Sequence, residues 1–283
     1  MRGRLPKYFV LEEYLERYAD AIELEPAKLA GRWAEACWPL DASGAGDAPG
    51  RFREVRLDMG CGKGAYLVGA AAAEPDVLFV GMDFEPVCCA YAAKAVCDAG
   101  LKNALVVGGK GNDVPRFFAP GELSRVHVNF PTPFPRTRDA HLRLVGPERL
   151  DDYRRVLAPS GELRLRTDNQ PLRDFCLGQL EVCGWDVLAT SDDDRAEHPD
   201  EPVTYYEERL VAMGASVLSV YATPHEPAPS AEERAERADK WPVSLVPYLP
   251  WDLDAMQYVP YGMEWTVETI RRSKKYRQAH GLE

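Results

Sequence analysis

A chain of 283 residues, 46% of them hydrophobic and 28% charged, is long enough for one substantial core with an appendage, and this composition excludes disorder throughout. No apolar run approaches the roughly 20 residues needed to span a bilayer, and no signal-type segment follows Met1-Arg2-Gly3-Arg4-Leu5-Pro6, so the expected location is cytoplasmic. The formal net charge of -11 counts against nucleic acid as a partner, although the acidic stretch at 186–240 and the basic ones at 125–166 and 271–277 polarise the surface enough to hold RNA on one side, and the seven cysteines, odd in number and without a C-x-x-C pair, read as buried free thiols rather than a metal or disulfide set.

Residues 1–50 read as an N-terminal arm. Phe9, Val10, Tyr14, Leu15 and Tyr18 fall near a 3.6-residue period and predict a helix over 8–18, followed at 41–50 by a loop of Gly, Ala, Ser and Asp. From 51 to 222 apolar runs alternate with helical segments. The runs predict seven strands, near 55–59, 77–83, 104–108, 124–129, 161–167, 185–190 and 216–222. That alternation is the mark of an α/β, Rossmann-like fold with a mostly parallel sheet covered on both faces. Residues 223–283 read as a C-terminal appendage packed on that core: a linker at 224–229, a charged helix at 231–240, an irregular aromatic and proline-rich stretch at 241–265, and a basic tail at 271–277. The chain is expected to act as a monomer or homodimer, between which the sequence does not choose.

The most informative stretch is Val55-Arg56-Leu57-Asp58-Met59-Gly60-Cys61-Gly62-Lys63-Gly64, an apolar strand running into alternate glycines and then into an alanine-rich helix at 67–73. Gly60, Gly62 and Gly64 allow a sharp turn and a close approach of backbone to ligand. A second apolar run, 77–82, ends in Asp83, where doubly wound folds place the carboxylate that binds ribose hydroxyls. The glycine spacing is not that of a pyrophosphate-binding loop, and an acid, Asp58, precedes it. This suits a ligand carrying an ammonium and a sulfonium, which is S-adenosylmethionine.

A second motif is Arg125-Val126-His127-Val128-Asn129-Phe130-Pro131-Thr132-Pro133-Phe134-Pro135-Arg136-Thr137-Arg138, a strand ending in alternate prolines and a basic loop. The prolines hold the loop extended at the carboxyl end of a strand, where ligands bind in open α/β sheets and where a methyl acceptor would enter. Asn129 is the first polar residue after the apolar strand. It reads equally as a contact to cofactor or substrate and as a cap of the turn.

With these motifs the chain resembles the bacterial tRNA (guanine-N7)-methyltransferase family, on LDMGCGKG at 57–64, NFPTPFPRTR at 129–138, RTDN at 166–169 and TYYEERLVAMG at 204–214, in that order. The resemblance implies a Rossmann-like methyltransferase that takes S-adenosylmethionine as donor and a guanine in the variable loop of tRNA as acceptor. By it Gly60, Gly62 and Asp83 would hold the cofactor, with Asp58 and Asn129 beside them. Thr167, Asp168, Thr204 and Glu207 would surround the guanine, and Arg136 and Arg138, on the rigid loop begun at Pro131, would meet tRNA phosphates. Guanine N7 has an in-plane lone pair and no proton, so in-line displacement needs no general base. Asp168 and Glu207 would stabilise the positive charge that moves onto the ring and accept from its N1 and N2.

The chain departs from the family at four places, the mildest being Asp58 where the family usually has a glutamate, one methylene longer. Thr132 stands where the family has the aspartate of Asp-Pro-Trp-Pro, a carboxylate regarded as catalytic. The basic cluster that follows is thinned, and Gly109-Lys110 replaces a Gly-Asp in the adenine-contacting region, where Asn112 or Asp113 would substitute. A basic strip is predicted from Arg2, Arg4 and Lys7 of the arm, Arg136, Arg138 and Arg143 of the loop, and Arg271, Arg272, Lys274 and Lys275 of the tail. The alternatives that remain open are a methyltransferase with a different acceptor and a non-catalytic cofactor-binding homologue.

Overall fold

In the computed structural model, which describes residues 9–36 and 52–280, the chain is built on an eight-stranded sheet. In chain order the elements begin with α1 (Leu11–Arg17), β1 (Ile22–Glu23), α2 (Trp33–Ala36), β2 (Glu54–Met59), α3 (Ala65–Ala73), β3 (Val77–Asp83), α4 (Pro86–Asp98), β4 (Ala104–Gly108) and α5 (Val114–Phe117). They continue with β5 (Leu123–Asn129), α6 (Pro147–Val156), β6 (Leu157–Thr167), α7 (Gln170–Cys183), β7 (Trp185–Ser191), α8 (Asp194–Glu197), α9 (Tyr205–Ala212), β8 (Leu218–Pro224), α10 (Ala231–Ala238), α11 (Glu264–Arg271) and α12 (Lys274–Ala279). The strand order is β1-β4-β3-β2-β5-β6-β8-β7, with β8 antiparallel to both its neighbours and the other pairs parallel.

All seven predicted strands are present. The eighth is β1, whose Ile22 pairs with Val106 and Glu23 with Val107; two residues carry no periodicity from which a strand could be read. β6 starts at Leu157, four residues before the predicted 161, because Ala158-Pro159-Ser160-Gly161 has the composition of a turn although it runs on into the strand. The predicted arm helix is shorter than expected and buries none of its residues. The arm is held instead by Trp33, whose indole N–H donates to the Phe117 carbonyl at 2.7 Å and whose ring stacks on Phe118. Tyr8, Arg2, Arg4, Lys7, Cys37 and the loop at 41–50 lie outside the described residues; the six other cysteines are free.

β3 is buried at all seven positions, as a central parallel strand covered on both faces must be. Its Leu78, Val80 and Met82 join one core cluster and its Val77 and Phe79 the other, so the two-residue period of the strand divides the hydrophobic layers. Gly64 takes a left-handed φ of 81°, and a Cβ there would lie 2.9 Å from Ala92 Cα, so only glycine lets α3 start against α4. The first core cluster also contains Leu245, Leu253, Met263, Val267 and Tyr276, which tie the segment after β8 to the sheet. No helix among the described residues is long and apolar enough to cross a membrane.

Candidate active site

The parallel sheet reverses its strand order between β2 and β5, and at such a switch point the connecting loops diverge and open a crevice at the carboxyl ends of the strands. Asp58, near the end of β2, and Asn129, at the end of β5, face each other there. Asn129 Nδ2 donates to Asp58 Oδ1 at 3.3 Å, and Asp58 is only 1% exposed. Asp58 Oδ2 and Asn129 Oδ1 are buried with no hydrogen-bond partner. Burial pushes the Asp58 carboxyl up to about 7 against the Asn129 donor, and the nearby Asp83 charge pushes the same way.

The glycine loop follows. Gly60 and Gly62 have φ of 77° and 54°, and a Cβ at Gly62 would meet nothing within 4 Å, so the loop is left-handed and open on its outer side. Asp83 fixes it from the next strand: Oδ2 accepts from the Gly62 N–H at 3.0 Å and Oδ1 from the Glu85 N–H at 2.9 Å. Each oxygen keeps a second lone pair for a ligand hydroxyl. On the turn after β4, Asp113 accepts from the Lys110 N–H and pairs with Arg116, whereas Asn112 is exposed. Two unpartnered acceptors for an ammonium, an open glycine cradle and a carboxylate one strand away fit S-adenosylmethionine.

Beside the crevice lie the end of β6, the loop after β5 and α9, which carry the residues expected to meet the acceptor. Thr167 is fully buried, and its Oγ1 accepts from the Asn169 N–H at 3.1 Å. Asn169 Oδ1 in turn caps α7 by accepting from Leu172. Asp168 is 8% exposed and its Oδ2 receives two donors, the Tyr258 hydroxyl at 2.7 Å and the Tyr261 N–H at 2.8 Å. Burial raises its carboxyl above the usual range, and these two donors work against that rise.

Glu207 stands in a buried ionic network, 1% exposed. Its Oε1 accepts from Arg166 Nη2 at 3.0 Å and from the Arg195 guanidinium, while Arg166 Nε donates to Asp194 at 2.7 Å. Burial opposes the Arg166 charge, but Glu207 and Asp194 outweigh it and its proton is held more tightly than usual. Glu207 Oε2 is buried without a partner. Thr204 caps α9, its side chain accepting from the Glu207 N–H at 2.9 Å. The RTDN and TYYEE motifs are thus joined by the Arg166–Glu207 pair.

In the loop after β5, Phe130 and Phe134 have left-handed φ of 48° and 45°, a conformation that non-glycine residues hold only when their surroundings impose it. Arg143 imposes it at Phe134: its guanidinium donates to the carbonyls of Pro133, Phe134 and Val243 and lies 4.4 Å over the Phe175 ring. The expectation that Arg143 meets phosphate is therefore corrected. It is 1% exposed because it fills the place where the loop, α7 and the C-terminal segment meet. Pro131 is half-buried and Thr132 exposed at the rim. Arg136 lies 4.2 Å over the exposed Trp265 ring, and Arg138 is exposed beside Asp139. Thr132, Arg136, Asp139, Gly262 and Trp265 line one cleft of about 230 Å³. The sequence reading missed Tyr258, Tyr261, Asp194 and Arg195, which lie in no motif, and passed over Asp139, a carboxylate in the same cleft as Thr132.

A glycine-loop cofactor site at the switch point of a Rossmann-like sheet, with a carboxylate-bearing mouth beside it, defines a methyltransferase. The chain belongs to the tRNA (guanine-N7)-methyltransferase family: residues 53–220 match the family model Methyltransf_4, described as "Putative methyltransferase", and curated members of that family are similar over most of their length. It is 30% identical over 205 residues to the tRNA (guanine-N(7)-)-methyltransferase of Geobacillus kaustophilus (strain HTA426), covering 72% of this chain and 88% of that one. To the protein of the same name from Streptococcus equi subsp. zooepidemicus (strain MGCS10565) it is 28% identical over 218 residues, 75% of this chain and 95% of the relative. Among solved structures, the 16S rRNA methyltransferase KamB superposes with a TM-score of 0.50 at 19% identity, over 63% of this chain and 89% of that one, which supports the fold.

Proposed function

We infer that this chain transfers a methyl group from S-adenosylmethionine to N7 of a guanine in the variable loop of tRNA. The observation that carries the reading is that the chain spans 95% of a curated tRNA (guanine-N(7)-)-methyltransferase, and it is supported by a crevice between the ends of β2 and β5 with the Asp168 carboxylate just past the end of the adjacent β6. S-adenosylmethionine, when bound, supplies an electrophilic methyl on a sulfonium. The residues that would hold it are Asp58 and Asn129 at the ammonium, the Gly60–Gly62 backbone, Asp83 at the ribose and Asn112 at the adenine. Because N7 carries no proton, the chain's own task is positioning and electrostatics.

Asp168 offers a carboxylate to the edge of the guanine, where it stabilises positive charge as it develops on the ring. Glu207, with Oε1 held by two arginines, presents only Oε2, and Thr167 and Thr204 set the backbone of the two acceptor motifs rather than extend into the mouth. Thr132, Pro131, Arg136 and Arg138 border the mouth, the arginines on the side open to phosphates. A tRNA substrate places the work in the cytoplasm. The test is methyl transfer from labelled S-adenosylmethionine to tRNA lacking this modification, with the nucleoside identified by mass. Formation of 7-methylguanosine supports the reading; a protein that binds cofactor but gives another methylated product, or none, refutes it.

A further inference from the structure

Residues 258–262 lie beyond the family-model match at 53–220, yet they are bonded to one acceptor motif and packed on the other. Tyr258 and Tyr261 both donate to Asp168 Oδ2, and Asn169 Nδ2 reaches the Tyr261 carbonyl at 3.4 Å, so the segment is fastened to the end of β6 through three bonds. On its other side Gly262 takes a left-handed φ of 80°, and a Cβ there would lie 2.8 Å from Pro133 Cγ, so the chain passes hard against the proline loop. The Tyr261 ring meets the exposed Tyr206 ring of α9 at 5.6 Å. One short stretch therefore touches all three elements that frame the mouth.

We propose that Tyr258 is a positioning residue for Asp168, and that residues 258–262, outside the segment that matches the family model, form a built-in wall of the acceptor pocket that sets the carboxylate against the guanine. This deepens the reading given above and rests on it, since it takes Asp168 to face the base. Neither bond from the segment falls on Asp168 Oδ1. Two donors converging on one oxygen fix the plane of the carboxylate and turn the other oxygen toward the mouth, where guanine N1–H or N2–H donates to it.

The wall also favours the charged form of Asp168. Burial and the Glu264 carboxylate of α11 favour the protonated form, while the Tyr258 hydroxyl and the Tyr261 N–H favour the ionised one. Without the phenol, the balance moves toward protonation. A neutral Asp168 stabilises the developing charge on guanine poorly, so activity is lost on the acid side first.

The experiment compares the wild-type protein with Tyr258→Phe, Asp168→Asn and the double variant, measuring kcat/KM for tRNA methylation against pH and the affinity for S-adenosylhomocysteine. Y258F is expected to retain cofactor affinity, because the hydroxyl it removes donates to Asp168 and not to the glycine loop. Its kcat/KM should fall roughly ten-fold, the usual cost of removing a hydrogen bond to a charged group, and its acidic limb should move to higher pH. In the D168N background the same substitution should cost little more. A wild-type-like acidic limb in Y258F, or losses that simply multiply in the double variant, overturns the proposal while leaving the tRNA reading intact. Wild-type protein that binds S-adenosylhomocysteine but makes no 7-methylguanosine overturns that reading, and the proposal with it.

Discussion

Asn129 Nδ2 donates to Asp58 Oδ1 at 3.3 Å across the switch point of the sheet, joining the ends of β2 and β5 and leaving Asp58 Oδ2 buried and unpartnered. The pair has a pH signature. Asp58 loses its proton only at about 7 in the unliganded protein, whereas an ammonium against Oδ2 favours the carboxylate, so binding releases a proton. Affinity for S-adenosylhomocysteine is therefore full above about pH 7 and falls by up to about ten-fold per pH unit below it. At higher pH the ligand's own α-amino group loses its charge, and affinity falls again. Calorimetry in buffers of different ionisation enthalpy reads both the profile and the proton. Asp58→Asn should abolish the acid-side dependence, and a flat wild-type profile between about pH 6 and 8 would contradict the assignment.

The Arg166–Glu207 pair leads to a prediction about stability rather than chemistry. Both side chains are about 1% exposed, and removing Glu207 leaves the buried Arg166 with Asp194 as its remaining carboxylate and takes a partner from Arg195, at a cost near the low end of that for breaking a buried pair, about 3 kcal/mol. Glu207→Ala should lower the melting temperature by roughly 10 °C, with cofactor affinity measured below the transition little changed. A variant that melts with the wild type but has lost methyl transfer would place Glu207 at the base through Oε2 instead.

The parts of the molecule that were legible in the sequence are those governed by local rules. Seven strands, the glycine loop and the acids Asp58 and Asp83 follow from strand periodicity and from residue types a few positions apart. What was not legible depends on contacts far apart in the chain. Tyr258 reaches Asp168 across 90 residues, and Arg143 reaches Val243 across 100, and neither pairing leaves a mark on its neighbours in sequence. Arg143 shows the cost of reading charge alone: an arginine in a basic loop looks solvated, but its planar fork of donors also suits a cluster of buried carbonyls. Glu207 enters the candidate site through the resemblance, and its pairing with an arginine was legible for Arg166 in the neighbouring motif but not for Arg195, which nothing near it announces.

Thr132 gives a gain-of-function test. Its side chain is exposed at the rim of the cleft it shares with Gly262 and Trp265, so an aspartate fits there without displacing packed atoms. Thr132→Asp restores the carboxylate that the family pattern carries and should raise kcat several-fold, a fraction of the ten-fold or more commonly supplied by one well-placed charge. Single-turnover rates on tRNA measure this. An unchanged or lower rate, with cofactor affinity intact, would mean that the site already has its charge, for which Asp139 in the same cleft is the nearest candidate.

The last prediction concerns the basic surface. Truncation after Gly262 is a poor test of the tail, because Val267 and Tyr276 belong to the main core and the Tyr276 hydroxyl accepts from the Leu253 N–H at 3.0 Å, so deletion would unfold what it was meant to probe. Charge substitution avoids this. Arg271 is turned inward to the Leu253 carbonyl and Asp254, and Arg272 pairs with Glu268, whereas Lys274 and Lys275 are exposed on α12 and Arg136 and Arg138 are exposed at the mouth. If Arg136 and Arg138 meet tRNA phosphates, replacing both with alanine should lower the slope of log affinity against log salt by roughly 1.5–2, and Lys274→Ala with Lys275→Ala should do the same if the tail reaches the RNA. Filter binding over a salt series reads the two slopes separately. A change confined to the Arg136/Arg138 pair would limit the RNA surface to the mouth and leave α12 as a solvated face. A change in neither would remove phosphate contact from both.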